Sequence, residues 1–246
     1  MAITLHSSIS GVNSKVAGTT ISTAGQTLVV TAGDLVVVTF AMDNAAGTVS
    51  CADDEGVSDV FVVQSDVTNS GGVRTVILAA ISNYTGSSYN VTVTHPSVTA
   101  RAVQIRSFTP TAGSTMDATA TAQNTGTSTT TATTSNSATP PANNQLVVGC
   151  CGSEDVVASQ TATGFPAWAT DQRAAGTSGG GDASNITIGT GYEIQTTATA
   201  RNYNPTLQDG ATDSANCIAC FREIAAAVTV PRPVIVGQAH QRAAVR

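Results

Sequence analysis

The sequence predicts an all-β fold: a two-sheet antiparallel β-sandwich of jelly-roll type with an internal pseudo-repeat and an extended C-terminal arm. Three observations favour it. The β-branched residues Val, Ile and Thr dominate the 246-residue chain, and they fit a pleated sheet better than a helix. Short apolar runs alternate with clusters of Gly, Asn, Asp and Ser, which form turns. No long stretch has the 3.6-residue apolar period of an amphipathic helix.

Candidate strands follow the apolar runs in chain order. Turn-forming clusters bound them, for example at 32–34, 69–72 and 178–182, where Gly tolerates a positive φ and Asn or Asp bonds its own backbone. The predicted strands are 2–8, 19–23, 28–30, 35–43, 48–52, 60–67, 74–82, 90–95, 100–107, 116–123, 127–134, 145–152, 167–174, 185–195, 197–202 and 215–224.

The segment 111–142 consists almost entirely of Thr, Ala, Ser and Asn. This composition is typical of linkers and of O-glycosylated stalks. Thr has a high β propensity, however, and a structureless connection of about 30 residues is unusual inside a compact domain. We therefore favour two thin strands here, with a linker as the alternative.

An internal repeat with an offset near 112 residues organises the chain. Three strand regions of the first half have counterparts in the second: 32–38 and 143–149, 72–77 and 184–189, 101–105 and 215–219. The halves are about 15–110 and 127–224. Because each half alone would expose an apolar sheet face, we expect one sandwich domain over 1–224. Two separate domains are the alternative.

The end of the chain, 225–246, differs from this body. Pro231 and Pro233 favour extended backbone and block regular strand pairing. An unpaired apolar strand edge invites association, so we expect an arm that adds to a neighbouring subunit. A frayed terminus or a last strand of the same domain is the alternative. The expected interface residues are Arg232, Val234, Ile235, Val236, Arg242 and Arg246.

Composition excludes several classes of function. The formal net charge is −6 and Lys15 is the only lysine, so we expect no nucleic-acid binding. No apolar run reaches the ~18 residues of a membrane span, so we expect no membrane partner. Residues 1–11 have neither a basic start nor an apolar run, so we expect no secretion signal.

The candidate metal ligands favour structural roles. Cys150-Cys151 and Cys217-x-x-Cys220 could bind zinc only if their strands broke into turns, so we interpret the cysteines as core thiols. A disulfide is the alternative. Carboxylates at 53–55 precede Gly56 and could hold Ca²⁺, although a solvated turn is favoured. We predict no cofactor.

No catalytic motif is present. The chain lacks a Gly-x-Ser-x-Gly elbow and a His-Glu-x-x-His motif, and we predict that it is not an enzyme. Glycan binding is the alternative function, because aromatic rings stack on sugars. Its candidate contacts, expected in one shallow exposed groove, are Trp168, Tyr192 and Tyr203. A single Trp in a sandwich is more often a packing residue.

Several strand-and-turn patterns together resemble a known group of proteins. They are Ala-Gly-Asp-Leu-Val-Val-Val at 32–38 and the segments 89–94, 101–103, 116–121, 144–149 and 217–223. Over about 15–224 the chain resembles the Thr/Ala-rich β-sandwich domains encoded by tailed bacteriophages and some bacterial surface proteins. It departs from them in its cysteines and its Pro-Arg-Pro arm.

This resemblance implies a non-enzymatic virion protein: a capsid decoration protein, a head fibre or a minor tail component. The implied partners are other virion proteins, such as major capsid or tail subunits, and copies of the chain itself. The implied location is the virion, assembled in the host cytoplasm. A host-surface glycan is the partner in the alternative interpretation.

Overall fold

The structure, a computed structural model, describes residues 3–9, 11–112, 114–129, 138–139, 143–154, 161–162, 169–175, 185–203, 205–206 and 212–225. It confirms the predicted fold class. The described residues are all-β: most of them lie in strands arranged as antiparallel sheets, and none lies in a helix.

The strands follow the chain in two groups. The first half contains β1 (Thr4–Ser8), β2 (Val12–Ser14), β3 (Gly18–Ser22), β4 (Leu28–Val30), β5 (Leu35–Asp43), β6 (Ser50–Asp53), β7 (Val62–Thr68), β8 (Val73–Ile81), β9 (Gly86–Tyr89), β10 (Val91–Val98) and β11 (Arg101–Thr109). The second half contains β12 (Ser114–Thr129), β13 (Gln145–Glu154), β14 (Thr161–Ala162), β15 (Ala169–Ala175), β16 (Ile186–Gln195), β17 (Pro205–Thr206) and β18 (Thr212–Ala225).

A central sheet of the first half has the strand order β1-β11-β5-β8-β7, and β2 also pairs with β11. Strands β5, β8 and β11 are buried at every position except the last. Burial on both faces explains why β5 and β8 are mostly apolar rather than alternating, whereas β11 also carries buried polar side chains such as Gln104 and Arg106.

An outer layer covers one face of the central sheet. It consists of the three-stranded sheet β3-β10-β6 and the pair β4-β9. Its core joins Phe40 and Leu78 of the central sheet to Leu28, Tyr89 and Val93 of the outer layer. The first half is therefore already a two-layer sandwich.

The second-half sheet, with the order β12-β18-β13-β16-β15, covers the other face of the central sheet. Its inner side chains share one core with the first half, in which Leu35 and Phe108 pack with Leu146 and Phe221. The structure thus adds a third layer to the predicted two-sheet arrangement, and the central sheet is the shared middle layer.

The central and second-half sheets have the same topology. Strands β1, β5, β7, β8 and β11 occupy the same places as β12, β13, β15, β16 and β18. The strand register equates Val73 with Ile186 and Ala102 with Ala215, in each case one residue from the correspondence expected from the sequence. Equivalent faces of the two sheets therefore meet in the shared core. The division into domains stays an interpretation.

The outer face of the second-half sheet has its own cover. Tyr203 and Ala138 pack over Val147 and Ile218 there. Gly149 allows this approach, because a Cβ atom at that position would lie 2.7 Å from Cγ of Tyr203.

The Thr/Ala-rich segment forms a strand, as favoured, but a single one where two were expected. β12 continues through 114–129, with register shifts between Ala118 and Ala120 and between Gly126 and Thr129. The remainder of the expected second strand lies outside the described residues.

Candidate interaction surface

The interface residues predicted from the sequence lie beyond the end of the described chain. They are Arg232, Val234, Ile235, Val236, Arg242 and Arg246. The last described strand, β18, ends at Ala225, opposite Ser114 of β12.

Two of the three residues proposed for glycan stacking, Tyr192 and Tyr203, lie apart on opposite faces of the second-half sheet. Tyr192 is half-buried in the core between the sheets, where its ring packs edge-on against Phe108 with centroids 5.2 Å apart. Tyr203 is 3% exposed and packs on the opposite face of the second-half sheet. Trp168 lies outside the described residues. Tyr192 and Tyr203 therefore cannot line one exposed groove.

The acidic turn at 53–55 is held by hydrogen bonds to its own loop. Asp53 accepts bonds from the backbone N–H groups of Glu55 at 3.2 Å, Val57 at 3.0 Å and Asp59 at 2.8 Å. Asp54 accepts bonds from the Ser22 hydroxyl at 3.1 Å and the Thr92 hydroxyl at 3.1 Å. These carboxylates organise the turn. The part of the chain that the structure describes contains no cluster of three metal-ligating side chains.

The cysteines of the second half are buried thiols, as predicted. Cys150 and Cys217 lie opposite each other and face the core between the sheets, whereas Cys151 and Cys220 face the outer cluster. This division follows from the alternation of side chains along a strand. Burial raises the pKa of Cys220 to about 12. Burial also raises the pKa of Cys150 well above its usual value, with its bond to Cys217 as the next cause.

Two histidines, His6 and His95, make contacts within the fold. Nδ1 of His6 lies 2.6 Å from the buried carboxylate of Asp34, which also accepts a bond from the Thr109 hydroxyl at 2.8 Å. His95 is buried against Phe40, with ring centroids 5.2 Å apart. Burial lowers the pKa of His95.

An apolar cleft opens between β7, at one edge of the central sheet, and β12, at the facing edge of the second-half sheet. We call it the edge cleft; its volume is about 320 Å³. Leu35, Ala79 and Phe221, all buried, contribute to its lining. Val60 and Val62 also line it and are 76% and 54% exposed, so the cleft offers apolar surface to solvent.

The cleft continues along both strands and closes at its far end. A second hollow of about 460 Å³ is lined by 63–66 of β7 and 121–123 of β12. There the Ser65 hydroxyl donates to Oε1 of Gln123 at 3.4 Å. Beyond it, Nδ2 of Asn69 donates to the carbonyl of Gly126 at 2.5 Å and to that of Ser214 at 3.2 Å. These hydrogen bonds tie the two edges together at this end of the cleft.

Irregular strand pairing accompanies the opening. β7 shifts register between Val63 and Ser65, and β12 shifts between Ala118 and Ala120. Such bulges bend an edge strand and increase its twist. Among the described strands, β7 pairs only with β8 and β12 only with β18, so each keeps one edge of backbone N–H and C=O groups available.

The edge cleft lies close to the end of β18, the last described strand. Met116, at the cleft, is two residues along β12 from Ser114, the partner of Ala225. At about 3.3 Å per residue, the end of β18 is roughly 7 Å along the strand from Met116. Asp117, also at the cleft, is half-exposed and lies 3.7 Å from Arg222.

Charge is distributed unequally along the chain. Residues 226–246 contain three arginines and no Asp or Glu. The preceding residues therefore carry a formal charge of −9, three units more negative than the −6 of the whole chain. Opposite charges on the two parts favour their association at low and moderate ionic strength.

A cluster of acidic side chains lies at another contact between the two halves. Glu154 borders a hollow together with Asp43, Gly72 and Lys15. Burial raises the pKa of Glu154 to about 7, with further contributions from Asp213 and Asp43. Lys15 donates a hydrogen bond to Oδ1 of Asn185 at 3.0 Å.

Sequence reasoning missed the edge cleft. The run Val60-Phe61-Val62-Val63 indicates a strand, but it does not tell whether that strand is central or at an edge. The available signal was Gln64, which ends this apolar run at the position where the structure has the bulge.

Comparison with known proteins gives no relative: no family model, curated protein or solved structure matches this chain. Within the described ranges, no helix is long and apolar enough to cross a membrane.

Proposed function

We propose that this chain is a non-enzymatic structural protein of a bacteriophage virion, a capsid decoration or minor structural protein. Its sandwich body displays a surface on the particle, and its C-terminal arm binds neighbouring subunits. Those neighbours are other virion proteins, such as capsid or tail subunits, and copies of the chain itself.

The observation that carries this proposal is the contrast between the body and the last residues. The body buries its apolar strands in layers around one central sheet, and its formal charge is −9. The segment 226–246 combines the apolar run at 234–236 with three arginines. Such a segment suits binding to an acidic protein surface better than independent folding.

The binding free energy of a short arm is sufficient for attachment when an assembly repeats the same contact many times. Burial of Val234, Ile235 and Val236 would contribute about 1.5–3 kcal/mol for each side chain, before the cost of ordering the segment. A single such contact is weak, whereas symmetric repetition lets many contacts act together.

The polar contacts of the body support a structural role. Asp53 and Asp34 use their carboxylates to hold loop backbone and neighbouring side chains. Carboxylates with this many internal partners stabilise turns.

Removal of the arm tests the proposal. In particles assembled with a chain that lacks 229–246, we expect the body to fold with unchanged β-sheet circular dichroism but to be lost from purified particles. The measurement is the number of copies per particle by quantitative mass spectrometry. A chain in which 229–246 are replaced by a Gly/Ser segment of equal length is the control for chain length. Full occupancy by the truncated chain would contradict the proposal.

A further inference from the structure

We propose that the edge cleft between β7 and β12 is the acceptor site for residues 234–236 of a second copy of this chain. The inference rests on the binding arm of the proposed function and specifies where that arm binds. Two copies would exchange arms, each filling the other's cleft.

The chemistry of the cleft matches an extended apolar segment. Buried Leu35 and Phe221 contribute to its lining, and the half-exposed Val62 lies beside them. In an extended chain Val234 and Val236 point to the same side, so both can enter the cleft together. The edge strands β7 and β12 offer backbone groups for main-chain hydrogen bonds, as in strand addition.

The charges are complementary as well. Arg232 is separated from Val234 by one residue. Asp117, at the cleft, has a half-exposed side chain, and its contact with Arg222 is 3.7 Å long. An arginine arriving beside the apolar run therefore meets a carboxylate that is accessible to solvent.

The geometry favours a second copy over the chain's own arm. The chain leaves β18 at Ala225, near the open end of its own cleft. Entry into that cleft would require the chain to reverse direction within about eight residues. Pro231 and Pro233 instead favour extended backbone over the last part of this connection.

A dimer with two-fold symmetry removes the need for this reversal of the chain. The departure point and the acceptor cleft lie at the same end of the molecule, so both come close to the axis when two copies meet end to end. Each extended arm then reaches the opposite cleft, and the contact is closed and self-complementary.

A matched pair of substitutions in the full chain tests the acceptor site. Val60, at the cleft, and Val16, outside it, are both 76% exposed, so neither change to Asp removes a buried side chain. We expect sedimentation equilibrium to give a dimer for the unaltered chain and for Val16→Asp. We expect Val60→Asp to weaken the dimer by roughly tenfold or more, because a charge is placed against the apolar arm.

A mixing experiment identifies the occupant. The chain with both Val234→Asp and Val236→Asp keeps an intact cleft but has a defective arm, and we expect it to be monomeric. Mixed with Val60→Asp, which keeps an intact arm, it should form a dimer held by one exchanged arm. A monomeric unaltered chain, whose arm binds its own cleft or another virion protein, would overturn the inference. So would equal dimerisation of Val60→Asp and Val16→Asp.

Particle incorporation separates this inference from the proposed function. If the chain lacking 229–246 is lost from particles while Val60→Asp is incorporated and dimerises normally, the arm binds elsewhere and only the acceptor site is wrong. If the truncated chain is incorporated fully, the proposed function fails, whatever the oligomeric state.

Discussion

The pKa of Glu154 depends on the contact between the two halves. Glu154 is the last residue of β13. Gly72 packs closely against its side chain, and Gly71 packs closely against Asp213, so that a Cβ atom on either glycine would overlap with a carboxylate. Burial, followed by the charges of Asp213 and Asp43, raises the pKa of Glu154 to about 7. The folded protein therefore holds a proton on Glu154 at pH values where the unfolded chain releases it.

The pH dependence of stability follows from this shift. Because the folded pKa is higher than the unfolded value of about 4.5, the free energy of unfolding should fall as pH rises from about 4.5 to 7 and then level off. Glu154→Gln should flatten this fall and stabilise the protein at pH 8 by about 1 kcal/mol, a value reduced for solvent screening. Urea denaturation at pH 5, 6, 7 and 8 measures the free energy of unfolding of both proteins. Identical pH profiles for both proteins would contradict this assignment.

At the scale of elements, the central and second-half sheets are joined by polar as well as apolar contacts. The hydroxyls of Thr39 on β5 and Thr190 on β16 lie 2.8 Å apart in the buried core. The backbone N–H of Gly152 donates to Oγ1 of Thr75 at 3.2 Å. These hydrogen bonds fix the position of one sheet relative to the other. Apolar packing alone would specify that position less strictly.

A double-mutant cycle tests the contact between these sheets. Thr39→Val or Thr190→Val alone leaves one buried hydroxyl without its partner across the core, and each should lower the free energy of unfolding by about 1–2 kcal/mol. The double variant should lose less than the sum, with a coupling of about 1 kcal/mol in urea denaturation. Thr39→Val combined with Thr94→Val, an exposed residue of β10, is the additive control. Additive effects for the buried pair would show that the sheets do not meet there.

The same elements show what sequence could and could not provide. Leu35–Asp43 was predicted with its correct bounds, because a long apolar run between turn clusters has few alternatives. The repeat was recognised, but the middle and closing strands were aligned one residue out of register. In Val73–Ile81 nearly every residue is buried, so no polar alternation marks which side chains face which layer.

At the scale of the whole molecule, the third layer and the edge cleft both depend on which distant strands become neighbours. β7 and β12 are separated along the chain and meet only after both sheets have formed. No local pattern at Val60 or Met116 encodes that meeting. The distinct composition of 226–246, in contrast, is visible in sequence, because Pro231, Pro233 and the arginines interrupt the composition of the preceding residues.

We propose that this protein is a structural component of a virus particle. Its most direct test is the absolute number of copies of the unaltered chain in highly purified virions, measured by mass spectrometry with isotope-labelled peptides. We expect many copies, in a constant ratio to the major capsid or tail protein across preparations. A chain that is abundant in infected cells but absent from the purified particles would contradict it.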